Sequence, residues 1–259
     1  MKIADSGPRS TGFSLVELLV AIAVVSILLS LLLPTVSRVR GASRATSCAS
    51  NLRQMTITVQ QYALTHRAYP VAVRADNSSG SFEIHNWDWV TDTDDNVIRP
   101  GAMWAFSDRP DEILQCPSYV GPPNANDPYT GYNYNTTYVG GEGSTVLPGW
   151  TYVRASARPS QCSRAAHCAV FGCGGRHNGT NKFMRAPENS VEGNLTQIYA
   201  GGQAFRHQGG TNAAYLDGRT ARTNDPHAGI HATDDLLSSF MAFPANGFLS
   251  PDDRAYRTR

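Results

Sequence analysis

Five cysteines and seven histidines carry most of the chemistry open to this chain of 259 residues. Cys48, Cys116, Cys162, Cys168 and Cys173 do not stand at the spacings of a metal ribbon. In an oxidising compartment disulfides are permitted, so one bridge within Cys162–Cys173 is expected, and the odd count leaves at least one thiol over. His227 and His231 stand four apart beside Asp225, Asp234 and Asp235. On a helix that spacing would turn two imidazoles to one face, as zinc sites need. Pro226 and Gly229 argue against a helix there, and a chance pair is expected. His207 precedes Asp217-Gly218 with nine residues between. An Asp-Gly pair between extended segments, here Thr211–Leu216 and Arg219–Thr223, favours a two-residue type I′ turn with positive φ at both positions. His207 is then expected to cap a strand end or bond a carboxylate, a structural role, with a catalytic or metal role as the lesser alternative. Asp92, Asp94, Asp95 and Asn96 could offer oxygens to calcium, but the glycine and distal glutamate of an EF-hand loop are missing, and a solvated turn is expected. There is no Gly-x-Ser-x-Gly and no P-loop. These residues predict no metal, no cofactor and no enzymatic activity.

The remaining titratable group of note is Glu17. It is the one acid in an apolar run from Phe13 to Leu33, whose other polar residues are Ser14, Ser26 and Ser30. As a helix at about 1.5 Å per residue the run reaches roughly 32 Å, close to the ~30 Å hydrocarbon core of a bilayer. Serines in such a helix can bond back to their own backbone. An acid costs on the order of 2–3 kcal/mol near the membrane centre and less near its edge, which makes Glu17 a candidate functional residue. A secretory signal would have a shorter apolar stretch and a cut site after it.

The polar leader ending at Gly12, Phe13 opening the apolar run, Glu17 and Pro34 resemble the head of a type IV prepilin or type II secretion pseudopilin. The resemblance implies cleavage by a prepilin peptidase between Gly12 and Phe13, N-methylation of Phe13, and pairing of Glu17 with the N-terminal amine of a neighbouring subunit. It implies a helix kink at Pro34, where the missing N–H removes a backbone bond. It places residues 1–12 in the cytoplasm and the head outside it, on a single-pass anchor in the inner membrane. Partners would be the peptidase, the membrane and other pilin-like subunits. Arg38, Arg40 and Arg44 follow the run while the leader carries Lys2 and Arg9, so the positive-inside bias is not clean.

The segments predicted are leader 1–12, membrane or filament-core helix 13–34, amphipathic helix 35–64 and a loop-rich β head 65–259. Beyond the anchor about 225 residues remain, enough for one substantial domain or two small ones. The chain carries 22 basic and 21 acidic residues, and no basic stripe points to nucleic acid. Ala45, Cys48, Leu52, Met55, Val59 and Tyr62 form one apolar stripe at helical period, opposite Arg44, Asn51, Arg53, Gln54, Thr58 and Gln61. On that stripe Cys48 reads as a small buried residue. Tyr69-Pro70 ends the helix. Ser81–Val90 reads as a strand, Asp92–Asn96 as a turn, and Cys168–Phe171 as a buried strand. Residues 129–152, rich in Tyr, Asn and Gly, read as β-structure and loops, and a short helix is expected over Thr233–Phe240. The fold class expected is α+β, a long N-terminal helix packed on an antiparallel sheet.

His207 with Asp217-Gly218, behind such a head, also resembles a bacterial family of prepilin-processing-associated proteins. Cys48-Ala-Ser-Asn-Leu-Arg-Gln, Cys116-Pro-Ser and Asn181-Lys-Phe-Met-Arg-Ala-Pro fit it too. That family implies location and fold more than mechanism. The function expected is a prepilin-like structural subunit of a type IV pilus or type II pseudopilus. The alternative is a membrane-tethered module whose aromatic head captures a glycan or surface partner, and the least favoured is an anchored metalloenzyme.

Overall fold

The computed structural model describes residues 14–77, 80–94, 96–106, 113–121, 131–144, 155–176, 179–188, 201–228 and 246–259. The expected helix over Thr233–Phe240, together with His231 and Asp95, lies outside them. The chain forms two compact units, residues 1–41 and 42–259, and one helix, α1 (Leu15–His66), runs through both. In the first unit every described residue from Ser14 to Arg40 is exposed. Ser26 donates to the Ile22 carbonyl and Ser30 to that of Ile27, both at 2.7 Å, so neither hydroxyl is left wanting. The helix continues through Pro34. An apolar helix exposed on all sides has no place in water, and this one is long and apolar enough to cross a membrane.

In the second unit α1 buries Ala45, Cys48, Leu52, Met55, Val59 and Ala63. The stripe is the expected one, except that Ala63 replaces Tyr62 at its end. Tyr62 is only half-buried and stacks on His66, with ring centroids 4.0 Å apart. Thr58, expected on the polar face, is also buried. Its hydroxyl donates to the Gln54 carbonyl one turn back, so the side chain shows the core only its methyl.

Among the described residues twelve strands follow, in mixed rather than purely antiparallel sheets. β1 (Val73–Asp76), β2 (Glu83–Asn86), β3 (Trp89–Thr91), β4 (Val97–Pro100) and β6 (Glu142–Ser144) form one sheet in the order β4-β3-β2-β1-β6. β1 is antiparallel to β2 and parallel to β6. The single strand expected over Ser81–Val90 is thus two strands folded back at Trp87-Asp88. At the fold-back the Trp87 N–H still donates to the Ala72 carbonyl at 3.0 Å, its indole N–H reaches the Lys182 carbonyl at 2.9 Å, and its ring packs on Phe171, centroids 5.3 Å apart. The turn at Asp92 is self-contained. Asp92 Oδ1 accepts from the backbone N–H groups of Asp94 and Asn96, and these bonds, led by that from the Asn96 side chain, hold the carboxyl below its ordinary range.

The second sheet runs β11 (Thr220–Thr223), β10 (Thr211–Tyr215), β7 (Ala169–Gly175), β5 (Tyr132–Asn135), β8 (Phe183–Met184), with β9 (Gly202–Ala204) joining the far end of β7 and β12 (Asn246–Gly247) joining β9. β7 is buried along its whole length, as a continuous apolar run in a central strand should be. Its register opposes Tyr132 to Cys173 and Tyr134 to Phe171, so these four side chains share the face turned to the α1 stripe within one hydrophobic core. The fold is α+β, a long N-terminal helix packed with β-sheets.

Candidate functional site

At the start of α1, Ser14 is the N-cap. Its hydroxyl accepts from the Val16 N–H at 3.2 Å, and its own N–H donates to Glu17 Oε2 at 2.9 Å. This is the acid half of a capping box, the residue at the third helical position closing back on the cap, while the cap hydroxyl takes the amide one position earlier. An acid in the first turn also faces the positive end of the helix dipole. Glu17 therefore has a partner within its own chain as well as the intermolecular role expected for it. Gly12 and Phe13 lie outside the described residues.

The second constellation lies in the head and joins four separate segments. Cys48 comes from α1, Cys116 from the Cys-Pro-Ser turn, Cys173 from β7 and His207 from the loop between β9 and β10. Their donor atoms lie within 4.8 Å of one another and all four residues are buried, the only such group among the described residues. Cys48 Sγ is 3.3 Å from Cys173 Sγ, and His207 Nε2 is 3.2 Å from Cys173 Sγ and 3.8 Å from Cys116 Sγ. His207 Nδ1 faces the Ser118 hydroxyl at 3.0 Å. Around the thiols the ordinary acidity is redistributed. Hydrogen bonds from Cys173 and Cys48 hold Cys116 far below the usual thiol range. Its bond to Cys116 pushes Cys48 up to about 12, and burial pushes Cys173 well above its ordinary value. The pocket therefore favours negative charge on one sulfur, that of Cys116, and the neutral thiol at Cys48 and Cys173; the donors can either oxidise in pairs or act together as ligands.

The loop that carries His207 is itself specified locally. His207 and Gly210 exchange both backbone hydrogen bonds, at 2.9 and 3.0 Å, around Gln208 and Gly209, whose φ values are +51° and +80°. Positive φ at both central positions marks a type I′ turn, so the tight turn lies at this end of the motif. At Asp217-Gly218 only Gly218 has positive φ (+89°), and Tyr215 pairs with Arg219 across three residues. That is a type I turn closed by a glycine bulge, not the expected type I′ turn. The nine-residue spacing is thus the tight turn, strand β10 and the start of the next turn. Among the described residues the imidazole bonds no carboxylate and caps no strand. Its neighbours are Ser118 and the thiols.

The bridge expected within Cys162–Cys173 is not formed. Cys168 and Cys173 are five apart along extended chain, which turns them to opposite faces. Cys168 Sγ donates to the Tyr256 carbonyl at 2.9 Å, Cys162 is half-buried near Arg158, and all five thiols are free. His227 sits on an extended segment bridged to Phe248. Tyr132 and Tyr134, from the aromatic run that suggested a glycan surface, are core residues. Sequence reasoning placed Cys48 correctly on the buried stripe but found no sign of the four-residue cluster. The signal for that would have been the meeting of three motif-bearing stretches, which no spacing rule encodes.

Residues 7–33 match the family described as the prokaryotic N-terminal methylation motif, and residues 37–93 match a protein of unknown function, DUF1559. No curated protein and no solved structure matches the chain. The first match spans the glycine-phenylalanine junction and nearly all the exposed apolar part of α1, and the second runs from that helix into the first sheet. Together with the long apolar helix, they fit a prepilin- or pseudopilin-like protein.

Proposed function

We propose that this chain is a structural subunit of a type IV pilus or a type II secretion pseudopilus, not an enzyme. The observation that carries the reading is the wholly exposed apolar stretch of α1, opened by a single acid and overlapping a methylation motif. A prepilin peptidase cleaves between Gly12 and Phe13, Phe13 is methylated, and the helix holds the chain in the inner membrane with the head outside the cytoplasm. In the filament the same helix packs against those of other pilin-like subunits, so the apolar surface exposed in the free chain is covered in either setting.

Intact mass and N-terminal sequencing of protein from the native membrane test this. The expected chain begins at methylated Phe13, and one retaining Met1 overturns the reading. Gly12→Val is expected to abolish cleavage, leaving only the full-length mass, because a branched side chain replaces the smallest residue at the cut. A mature-sized product from that variant removes Gly12 from the recognised junction.

A further inference from the structure

We propose that Cys48, Cys116, Cys173 and His207 bind one zinc ion, a structural site that clamps α1 to the sheet of the head. Four-coordinate zinc with sulfur ligands at about 2.3 Å and nitrogen at about 2.0 Å places its donors roughly 3.5–3.8 Å apart. The contacts here, 3.3 Å between Cys48 and Cys173 and 3.2 and 3.8 Å from His207 to Cys173 and Cys116, lie within a few tenths of an ångström of that. Three thiolates and an imidazole in a closed, buried set are the donors of a structural zinc site, and all four positions are taken by protein, so no place is left for a substrate.

The surroundings fit an ion at this point. Ser118 Oγ lies 3.0 Å from Nδ1 of His207, so an Nδ1–H donated to it leaves the Nε2 lone pair facing the sulfurs, as with the outer partner of a metal-bound histidine. Three thiolates against one divalent ion leave a single negative charge. Arg206 supplies the opposite charge next to the ligand: its guanidinium donates to the Gly174 carbonyl, beside Cys173, and lies 4.8 Å over the Tyr119 ring. Arg206 Nη1 and the Tyr132 hydroxyl are buried with no oxygen or nitrogen partner among the described residues, and Tyr132 lies opposite Cys173 across the sheet. Both are donors suited to thiolate sulfur. A disulfide would use two of the thiols and leave a third thiol and an imidazole buried without use. All three sulfurs bind zinc as thiolates, so zinc displaces to solvent whatever protons Cys48, Cys116 and Cys173 still hold, and no electron is transferred.

The test uses full-length protein extracted in detergent from its native membrane. Elemental analysis is expected to give one zinc per chain. Cys116→Ser is expected to lose that zinc, while Cys162→Ser, outside the cluster, keeps it. Because a ligand variant can fail to fold, two further measurements stand independently. Ser118→Ala is expected to keep the stoichiometry but to weaken zinc in a chelator competition by about 10–100-fold. Cobalt(II) exchanged into the wild-type chain is expected to show the visible bands of a tetrahedral ion and thiolate-to-cobalt charge transfer. A metal-free native protein, a disulfide between any two of Cys48, Cys116 and Cys173 in non-reduced peptide maps, or a different metal at these ligands overturns the proposal. So does full retention of zinc by Cys116→Ser. None of these outcomes bears on cleavage at Phe13, so the prepilin reading stands or falls separately.

Discussion

Glu142→Ala is expected to lower the stability of the head by about 3–5 kcal/mol, because it removes the carboxylate from a buried guanidinium. Arg185 holds Glu142 in a two-pronged pair, 2.6 Å from Nη1 to Oε1 and 2.5 Å from Nη2 to Oε2, and both side chains are almost entirely buried. Glu142 lies on β6 at the edge of the first sheet, and Arg185 follows β8 at the edge of the second. The pair therefore ties the two sheets where their edge strands meet. For a head of this size the loss corresponds to a melting temperature lower by on the order of 10 °C. Calorimetry on the extracted full-length protein reads it directly. The double variant Glu142→Leu/Arg185→Met is expected to recover much of the loss, since an apolar pair of similar volume removes the buried charge rather than exposing it to a hole. A single alanine variant that melts within about 2 °C of wild type would mean that water reaches the guanidinium and that the pair contributes as little as a surface bridge does.

The parts of this fold that were legible are those where the chain repeats its own geometry. The 3,4 spacing from Ala45 to Val59 predicted the buried face of α1 because each turn makes the same decision, and β7 was legible as an unbroken apolar run. The misplaced parts are those decided by a distant partner. Residues 81–90 carry strand-like composition throughout, yet the chain turns back at Trp87-Asp88, where the Trp87 indole is anchored on the Lys182 carbonyl far along the chain. The tight turn was assigned to Asp217-Gly218 on dipeptide preference, while the backbone places it at Gln208-Gly209, where a non-glycine residue takes positive φ beside a glycine. The cluster around Cys173 is the extreme case. Each ligand has a bland local reading: a small core residue on a helix stripe, a turn cysteine, a strand cysteine and a histidine before a turn. Only the packing of α1, the Cys116-Pro-Ser turn, β7 and the β9–β10 loop brings them to one point. The Asn181-Lys-Phe-Met-Arg-Ala-Pro stretch behaves similarly, since its two cations are paired with Asp88 and Glu142, acids from remote strands and turns.

Glu17→Gln is expected to be cleaved normally and yet to be missing from filaments, which separates two roles that Glu17→Ala confounds. The carboxylate caps its own helix through the Ser14 N–H. A glutamine amide oxygen can accept that same bond, so the capping box survives the change, whereas alanine deletes it at a cost of about 1 kcal/mol. What glutamine cannot supply is charge. In the proposed mature chain the N-terminus is a cationic amine at Phe13, and burying that amine in an apolar bundle is costly unless an anion meets it. A carboxylate accepts at both oxygens, so Glu17 can keep its own cap on Oε2 and still offer Oε1 to the amine of a neighbouring subunit. The measurement is the amount of each variant in sheared filaments or cross-linked pseudopili, set against the mature mass in the membrane. Loss of assembly in both variants, with cleavage intact, assigns the residue to charge pairing between subunits. Wild-type assembly by Glu17→Gln, with a defect in Glu17→Ala alone, would reduce Glu17 to a helix cap and leave the Phe13 amine to find another counter-charge.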